Sequence, residues 1–251
     1  MTAAATLTPT VGHQPIGNFN VAVEVAQSAS GYVPLIPLGT LMTPIDPYWG
    51  GGEVIRLRVP ANTTAIPTGG VAIYNNAFTY AICPNTANLG QPLAVAVNAV
   101  PLNAGFDQYA WFYVSGTFPA LSNASVAANT AVGIAAAGQL GANSAGKQVL
   151  NGRVQVAATT TVVKANCNTT SGSTLMRVPN SDGWFVGLFL SGTGIPAATT
   201  ISAIDASGTL VTLSAAATAT GSVSVTGTYN NGTIFWNVVT GQRVFAQGGI
   251  T

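Results

Sequence analysis

Gly50-Gly51-Gly52-Glu53-Val54-Ile55-Arg56-Leu57-Arg58-Val59-Pro60 is the stretch whose reading decides the fold class. From Glu53 onward the side chains alternate, which puts Ile55, Leu57 and Val59 on one face and Arg56 and Arg58 on the other, the pattern of a half-buried strand. Pro60 has no N–H to give a ladder and ends the strand, and the glycines before it supply a turn or bulge open to positive φ. Similar short strands are predicted at residues 71–74, 93–97, 109–114, 148–157, 184–190, 210–213, 222–226 and 233–239. Between them lie turn signals: Ser30-Gly31, Asn151-Gly152, Asp182-Gly183, Ser207-Gly208, Asn231-Gly232 and Thr240-Gly241. No segment sustains a 3.6-residue period, so at most one helical turn is expected, near residues 86–89. The expectation is an all-β protein, a compact barrel or sandwich.

Composition narrows the function. Charged residues make up 5% of the 251, where an ordinary soluble domain has about 25%. Thr, Ser, Asn, Gly and Ala replace them, and a surface so depleted gives up the charges that normally keep a monomer soluble and its sheet edges apart. Assembly with other protein surfaces is the expected protection. A net charge of +1 with scattered cations gives no electrostatic basis for binding nucleic acid. Mean hydropathy is +0.42, yet no window reaches the ~20 apolar residues of a spanning helix, so no membrane partner is expected. Met1-Thr2-Ala3-Ala4-Ala5 offers no positive n-region and no apolar core of a signal peptide, which points to synthesis in a cytoplasm.

Residues 1–20 read as an N-terminal arm, broken by Pro9, Gly12, Pro15 and Gly17. Residues 21–164 plus 228–251 read as the main β domain, and residues 165–227 as a small inserted β-module. In that division the runs 153–164 and 228–239 are neighbouring strands of the parent domain. Two runs are apolar on both faces, Ala110-Trp111-Phe112-Tyr113-Val114 and Trp184-Phe185-Val186-Gly187-Leu188-Phe189-Leu190. Each is read either as a strand covered on both sides by its own chain or as one whose second face meets another subunit, where aromatics are favoured anchors. On the second reading, the arm and the first run carry the contacts, with His13, Phe19, Tyr109, Trp111 and Tyr113 as candidate interface residues.

The motifs for chemistry are weak. Gly141-Ala142-Asn143-Ser144-Ala145-Gly146-Lys147 fits the first seven positions of a phosphate-binding loop, but Gln148 stands where a magnesium-ligating Ser or Thr belongs, and a Gly/Ser-rich hairpin loop explains the run. His13 is the only histidine, and an arm does not hold the geometry of a Ser-His-Asp triad. The acids are Glu24, Asp46, Glu53, Asp107, Asp182 and Asp205. Asp182 and Asp205 sit beside Gly or Ser in sequence read as turns, and Glu53 beside Arg56 and Arg58 reads as a cross-strand ion pair rather than an acid catalyst. Cys83 and Cys167 read as buried thiols, with a disulfide between them as the alternative that cytoplasmic synthesis disfavours. No metal or cofactor motif is present and no enzymatic activity is expected. The competing readings are a glycan-binding adhesin using Trp49, Trp184 or Trp236 as sugar platforms and a glycosidase using two of the six acids.

The chain resembles tailed-bacteriophage capsid decoration (cement) proteins. The resemblance rests on the Gly-rich turn into Glu53-Val54-Ile55-Arg56-Leu57-Arg58-Val59 and on Asn85-Thr86-Ala87-Asn88-Leu89-Gly90-Gln91-Pro92 leading into Leu93-Ala94-Val95-Ala96-Val97. It continues in the aromatic strand Gln108-Tyr109-Ala110-Trp111-Phe112-Tyr113-Val114-Ser115-Gly116 and the Ala/Gly-rich run Val126–Ile134. Residues 165–227 resemble a separate module of phage structural proteins, through Ser191-Gly192-Thr193-Gly194-Ile195-Pro196 and a Val-Thr-Leu-Ser-Ala-Ala run. The resemblance implies a non-catalytic virion protein on the outer capsid surface. It would bridge neighbouring major capsid subunits and associate with its own copies as trimers, with dimers the alternative.

Overall fold

The computed structural model describes residues 14–15, 23–25, 33–46, 50–62, 64–205 and 207–247. Twenty strands and no helix occur among them. The N-terminal part contributes β1 (Gln14–Pro15), β2 (Glu24–Val25), β3 (Leu41–Met42), β4 (Pro44–Asp46) and β5 (Gly50–Gly51). The body begins with β6 (Glu53–Val59), β7 (Val71–Tyr74), β8 (Tyr80–Ile82), β9 (Leu93–Ala96) and β10 (Gln108–Ser122). It continues through β11 (Ala131–Ala136), β12 (Gln139–Ala142) and β13 (Gln148–Val156). A six-stranded sheet follows, built of β14 (Thr161–Thr169), β15 (Leu175–Arg177), β16 (Phe189–Gly192), β17 (Ile201–Ile204), β18 (Leu210–Leu213) and β19 (Gly221–Thr228), before β20 (Phe235–Gln247) returns to the body. The fold is all-β and sandwich-like, of curled sheets packed on one another.

Curling is visible in the pairings. The body sheet runs β12-β11-β13-β20-β10-β9-β7-β8, with β6 also on β10. Its ends fold back: Ser122 of β10 bridges Leu140 of β12, and Arg58 of β6 bridges Thr79 beside β8. The six-stranded sheet, β16-β19-β14-β15-β18-β17, behaves alike, with Phe189 bridging Thr200. Each closure is a single bridge rather than a ladder, yet it covers strand ends that would otherwise present open N–H and C=O groups.

β10 organises the body. Its first half pairs with β6, from Gln108↔Val59 to Ser115↔Glu53, and its second half with β20, from Gly116↔Gly241 to Ser122↔Phe235. The exchange happens at Gly116, at φ +102, directly after an irregularity between Tyr113 and Ser115. A Cβ on Gly116 would lie 2.4 Å from Gly52 Cα and 2.8 Å from Gly51 O, so the glycines read as a turn ahead of β6 are where two backbones touch.

Three cores follow from this topology. Ile55, Leu57, Ala72, Ala94, Ala96, Ala110 and Phe112 fill the space inside β6, β7, β9 and the first half of β10. The opposite faces of those strands, with Val54, Val71, Val95, Trp111 and Tyr113, pack against Phe118, Val132, Ile134, Leu140 and Val154. Leu121, Trp236 and Val238, from the outer side of β10 and β20, join the interior of the six-stranded sheet. The aromatic run at residues 110–114 is therefore covered on both sides by its own chain.

Several expectations change. Arg56 was placed on a solvent face but is 2% exposed. The run 153–164 does not form one parent strand: a turn at residues 157–160 separates β13 from β14, and β14 pairs with β19. The turn sequence, Ala157-Ala158-Thr159-Thr160, has no Gly or Pro to mark it. Residues 184–188 do not form a strand: two successive turns run through residues 181–188, where Gly183 and Gly187 take φ +77 and +95, and only Phe189 onward extends. Their apolar run reports burial: Phe185 packs edge-on against Tyr229 and Trp236 at 5.4 and 5.2 Å. Asn151-Gly152 and Thr240-Gly241 lie inside β13 and β20, not in turns between strands. No helical turn forms at residues 86–89.

Gly116→Ala is expected to cost about 3 kcal/mol of stability, since backbone must move. Gly172→Ala, at φ +80 with nothing within 4 Å, should cost about 1 to 2 kcal/mol. Urea denaturation of the two variants checks the difference, and equal losses would remove the special role of the Gly52–Gly116 contact.

Candidate functional site

The aromatic strand does not offer a surface. Tyr109, Trp111 and Tyr113 are 5%, 2% and 6% exposed, so these three candidate interface residues are corrected to interior positions. Both neighbouring edges of β10 are taken, by β6 on one side and by β9 and β2 on the other, and both faces are packed. His13 and Phe19 lie outside the described residues, as does most of the 1–20 arm. Its described part, Gln14–Pro15, pairs in parallel with Pro44 and Ile45. Trp49 also lies outside them, while Trp184 and Trp236 are core residues and present no face to a sugar.

The acids are mostly held by structure. Arg56 Nη2 donates to Glu24 Oε2 at 2.5 Å, and its guanidinium lies 5.5 Å from the Trp111 ring centroid. Glu24 Oε1 accepts from the Leu35 backbone N–H at 2.9 Å. The expected Glu53 pair with Arg56 or Arg58 is thus replaced: Glu53 accepts from Ser115 Oγ at 3.0 Å, and Arg58 reaches Asp107 at 3.6 Å. Strand register explains the exchange, because Tyr109 of β10 stands opposite both Arg58 and Glu24, which brings the second strand's acid to the sixth strand's cations. Asp205 closes a turn as expected, accepting from Ser207 Oγ and from the N–H groups of Leu210 and Thr209, which hold its carboxyl below the usual range. Among the described residues no group of three or more His, Cys, Asp or Glu is placed to hold a metal ion. With no helix among the described residues, none is long and apolar enough to cross a membrane.

The phosphate-loop match resolves as a hairpin loop. Residues 143–147 join β12 to β13, Lys147 N–H donates to Ser144 O, and Lys147 Nζ donates to Asn85 Oδ1 at 2.8 Å. A strand follows where a helix N-terminus would be needed to cradle phosphates. Cys83 and Cys167 are free, buried thiols belonging to different cores. Burial pushes Cys83 up to about 11. It also raises Cys167, against the lowering effects of a Val225 backbone bond and the Lys164 charge.

Exposed large hydrophobics occur singly at Ile82, Val163, Leu175 and Ile234, but the two most exposed lie together on the segment at residues 33–46, which sequence reasoning did not single out. It is tied to the body mainly through backbone groups. Gly39 N–H donates to Arg56 O, Arg56 N–H donates to Thr40 O, and Leu41 and Met42 pair with Ile55 and Val54. Ile36 and Met42 turn inward onto the core. Val33, Leu35 and Leu41 turn outward and are 80%, 78% and 50% exposed. Their only sequence signal is alternation across a Pro-rich stretch, Val33-Pro34-Leu35-Ile36-Pro37-Leu38, too irregular to read as a strand. Comparison with family models, curated proteins and solved structures finds no match to this chain.

Glu24→Ala is expected to cost about 3 kcal/mol, because it strands a buried guanidinium. Asp107→Ala, on a looser and more exposed pair, should cost less than about 1 kcal/mol. Chemical denaturation of both variants tests that order, and an equal cost would contradict it. In a thiol-labelling assay at pH 8, both cysteines should stay unmodified in the native chain and react after unfolding in urea. Rapid native labelling of either would contradict its burial.

Proposed function

We propose that this chain is a non-catalytic virion protein that decorates the outside of a tailed-bacteriophage capsid and cements neighbouring major capsid subunits, self-associating as a trimer or dimer. The single observation carrying the reading is the 33–46 segment: backbone-clamped to a well-packed body, it turns three large aliphatic side chains to solvent. Such a strap has paid its ordering entropy within its own chain, so seating Val33 and Leu35 in a neighbour's pocket gains burial without first fixing a loop.

The rest of the molecule fits this role. Tyr109, Trp111, Phe112, Tyr113, Phe118, Trp184, Phe185, Tyr229 and Trp236 are committed to the interior, and Glu24, Glu53, Asp107 and Asp205 are bonded within the fold. A surface of hydroxyls and carboxamides is cheaper to desolvate against another protein than a charged one. The sequence resemblance to decoration proteins supplies the partner, the major capsid protein, and the place, the outer capsid surface of a virion assembled in a host cytoplasm.

Purified protein should co-sediment with capsids lacking decoration, saturably and in fixed stoichiometry. The double variant Val33→Asp/Leu35→Asp should bind at least tenfold more weakly with an unchanged melting curve, since neither side chain is in a core. Full binding by that variant would remove the strap's role. No binding by the native protein would overturn the proposal.

A further inference from the structure

The ladders on both sides of β13 slip at the same place. Toward β20, Leu150 pairs with Ala246 while Gly152 pairs with Gly241, so residues 242–245 of β20 face a single residue of β13. Toward β11, Ala131 pairs with Arg153 while Gly133 pairs with Gln148, so residues 149–152 bulge there too. Asn151 sits at the crest in the left-handed region, at φ +58. Asn tolerates this conformation better than other non-glycine residues, and coincident bulges re-aim side chains away from the regular pleat.

The result is a groove of about 480 Å³ whose lining includes Asn143, Gln148, Asn151, Arg153, Gln242 and Leu150. Each carboxamide can donate and accept at once, which suits the adjacent hydroxyls of a sugar ring. Leu150, 43% exposed, offers an apolar patch for the ring's C–H face. Among the described residues no acidic side chain lines the groove. Arg153 Nη1 donates to Asn129 O at 3.0 Å, which orients the guanidinium, and no carboxylate among the described residues forms a salt bridge with it. A guanidinium fork amid carboxamides matches a carboxylate flanked by hydroxyls.

The geometry points to a binding groove for a carboxylate-bearing oligosaccharide, with Arg153 on the carboxylate and the carboxamides on the hydroxyls. This goes beyond capsid decoration: the same protein that fastens to a shell would also hold acidic glycans. The volume lies within the range of small-ligand sites.

Titrating the full chain with tetragalacturonate and with its methyl ester, followed by ligand-detected NMR and calorimetry, tests this without capsids. The acid is expected to bind and the ester to bind at least tenfold more weakly. Arg153→Gln should bring the acid down to the level of the ester, and Gln242→Ala should weaken both, with melting curves confirming that each variant folds. Equal binding of acid and ester, no effect of Arg153→Gln, or no binding of the acid would overturn the inference. Capsid co-sedimentation by the same Arg153→Gln protein should stay at the native level.

Discussion

The backbone contact between Gly52 and Gly116 is the constraint on which the body depends. One strand, β10, serves first β6 and then β20, and it changes partner where the two chains approach too closely for any Cβ. Because the strand continues through the exchange, the sheets on either side share a backbone and bury both faces of its aromatic half. Ala110 and Phe112 point into one core and Trp111 and Tyr113 into another. The inner core is tight, with Ala72, Ala94, Ala96 and Ala110 leaving room for Leu57 and Phe112, as expected where a sheet curls sharply.

Curling also explains how a chain with so few charges avoids open edges. Bridges at Ser122–Leu140, Arg58–Thr79 and Phe189–Thr200 let the sheets fold back on themselves, so backbone closure takes over part of the protection that edge lysines usually give. Depletion of charge is thus not by itself a sign of a missing partner. The second protection is internal polar bonding at junctions. Asn237, fully buried, accepts from the N–H groups of Val126 and Ala158 and donates to Ala124 O. That ties β20 to the turn where the chain passes into the six-stranded sheet, and Asn230 Nδ2 donates to Ala158 O beside it. Phe185, Tyr229 and Trp236 then make the join between the sheets a packed aromatic cluster rather than a linker.

Both proposed binding surfaces arise where regular structure is interrupted. The strap holds to the body by backbone pairing and turns Val33 and Leu35 largely to solvent. The carboxamide groove opens where two ladders lose register around Leu150–Gly152. In each case a rigid sheet supplies the position and an irregular segment supplies the chemistry.

The sequence by itself determined the all-β class, the limits of β6, β7 and β18, the burial of both thiols and the hairpin nature of residues 143–147. These follow from local alternation, turn chemistry and composition, which act within a few residues. Only the tertiary structure decided that the aromatic strand is interior, that Glu24 rather than Glu53 neutralises Arg56, and that Trp184-Phe185 is a plug rather than a strand. An apolar run reads the same whether its second face meets its own chain or another's. An ion pair across strands distant in sequence depends on register, which no local pattern encodes. The groove is not legible in the sequence for the same reason: Asn151-Gly152 signals a turn, and only pairing on both sides of β13 turns that signal into a bulge.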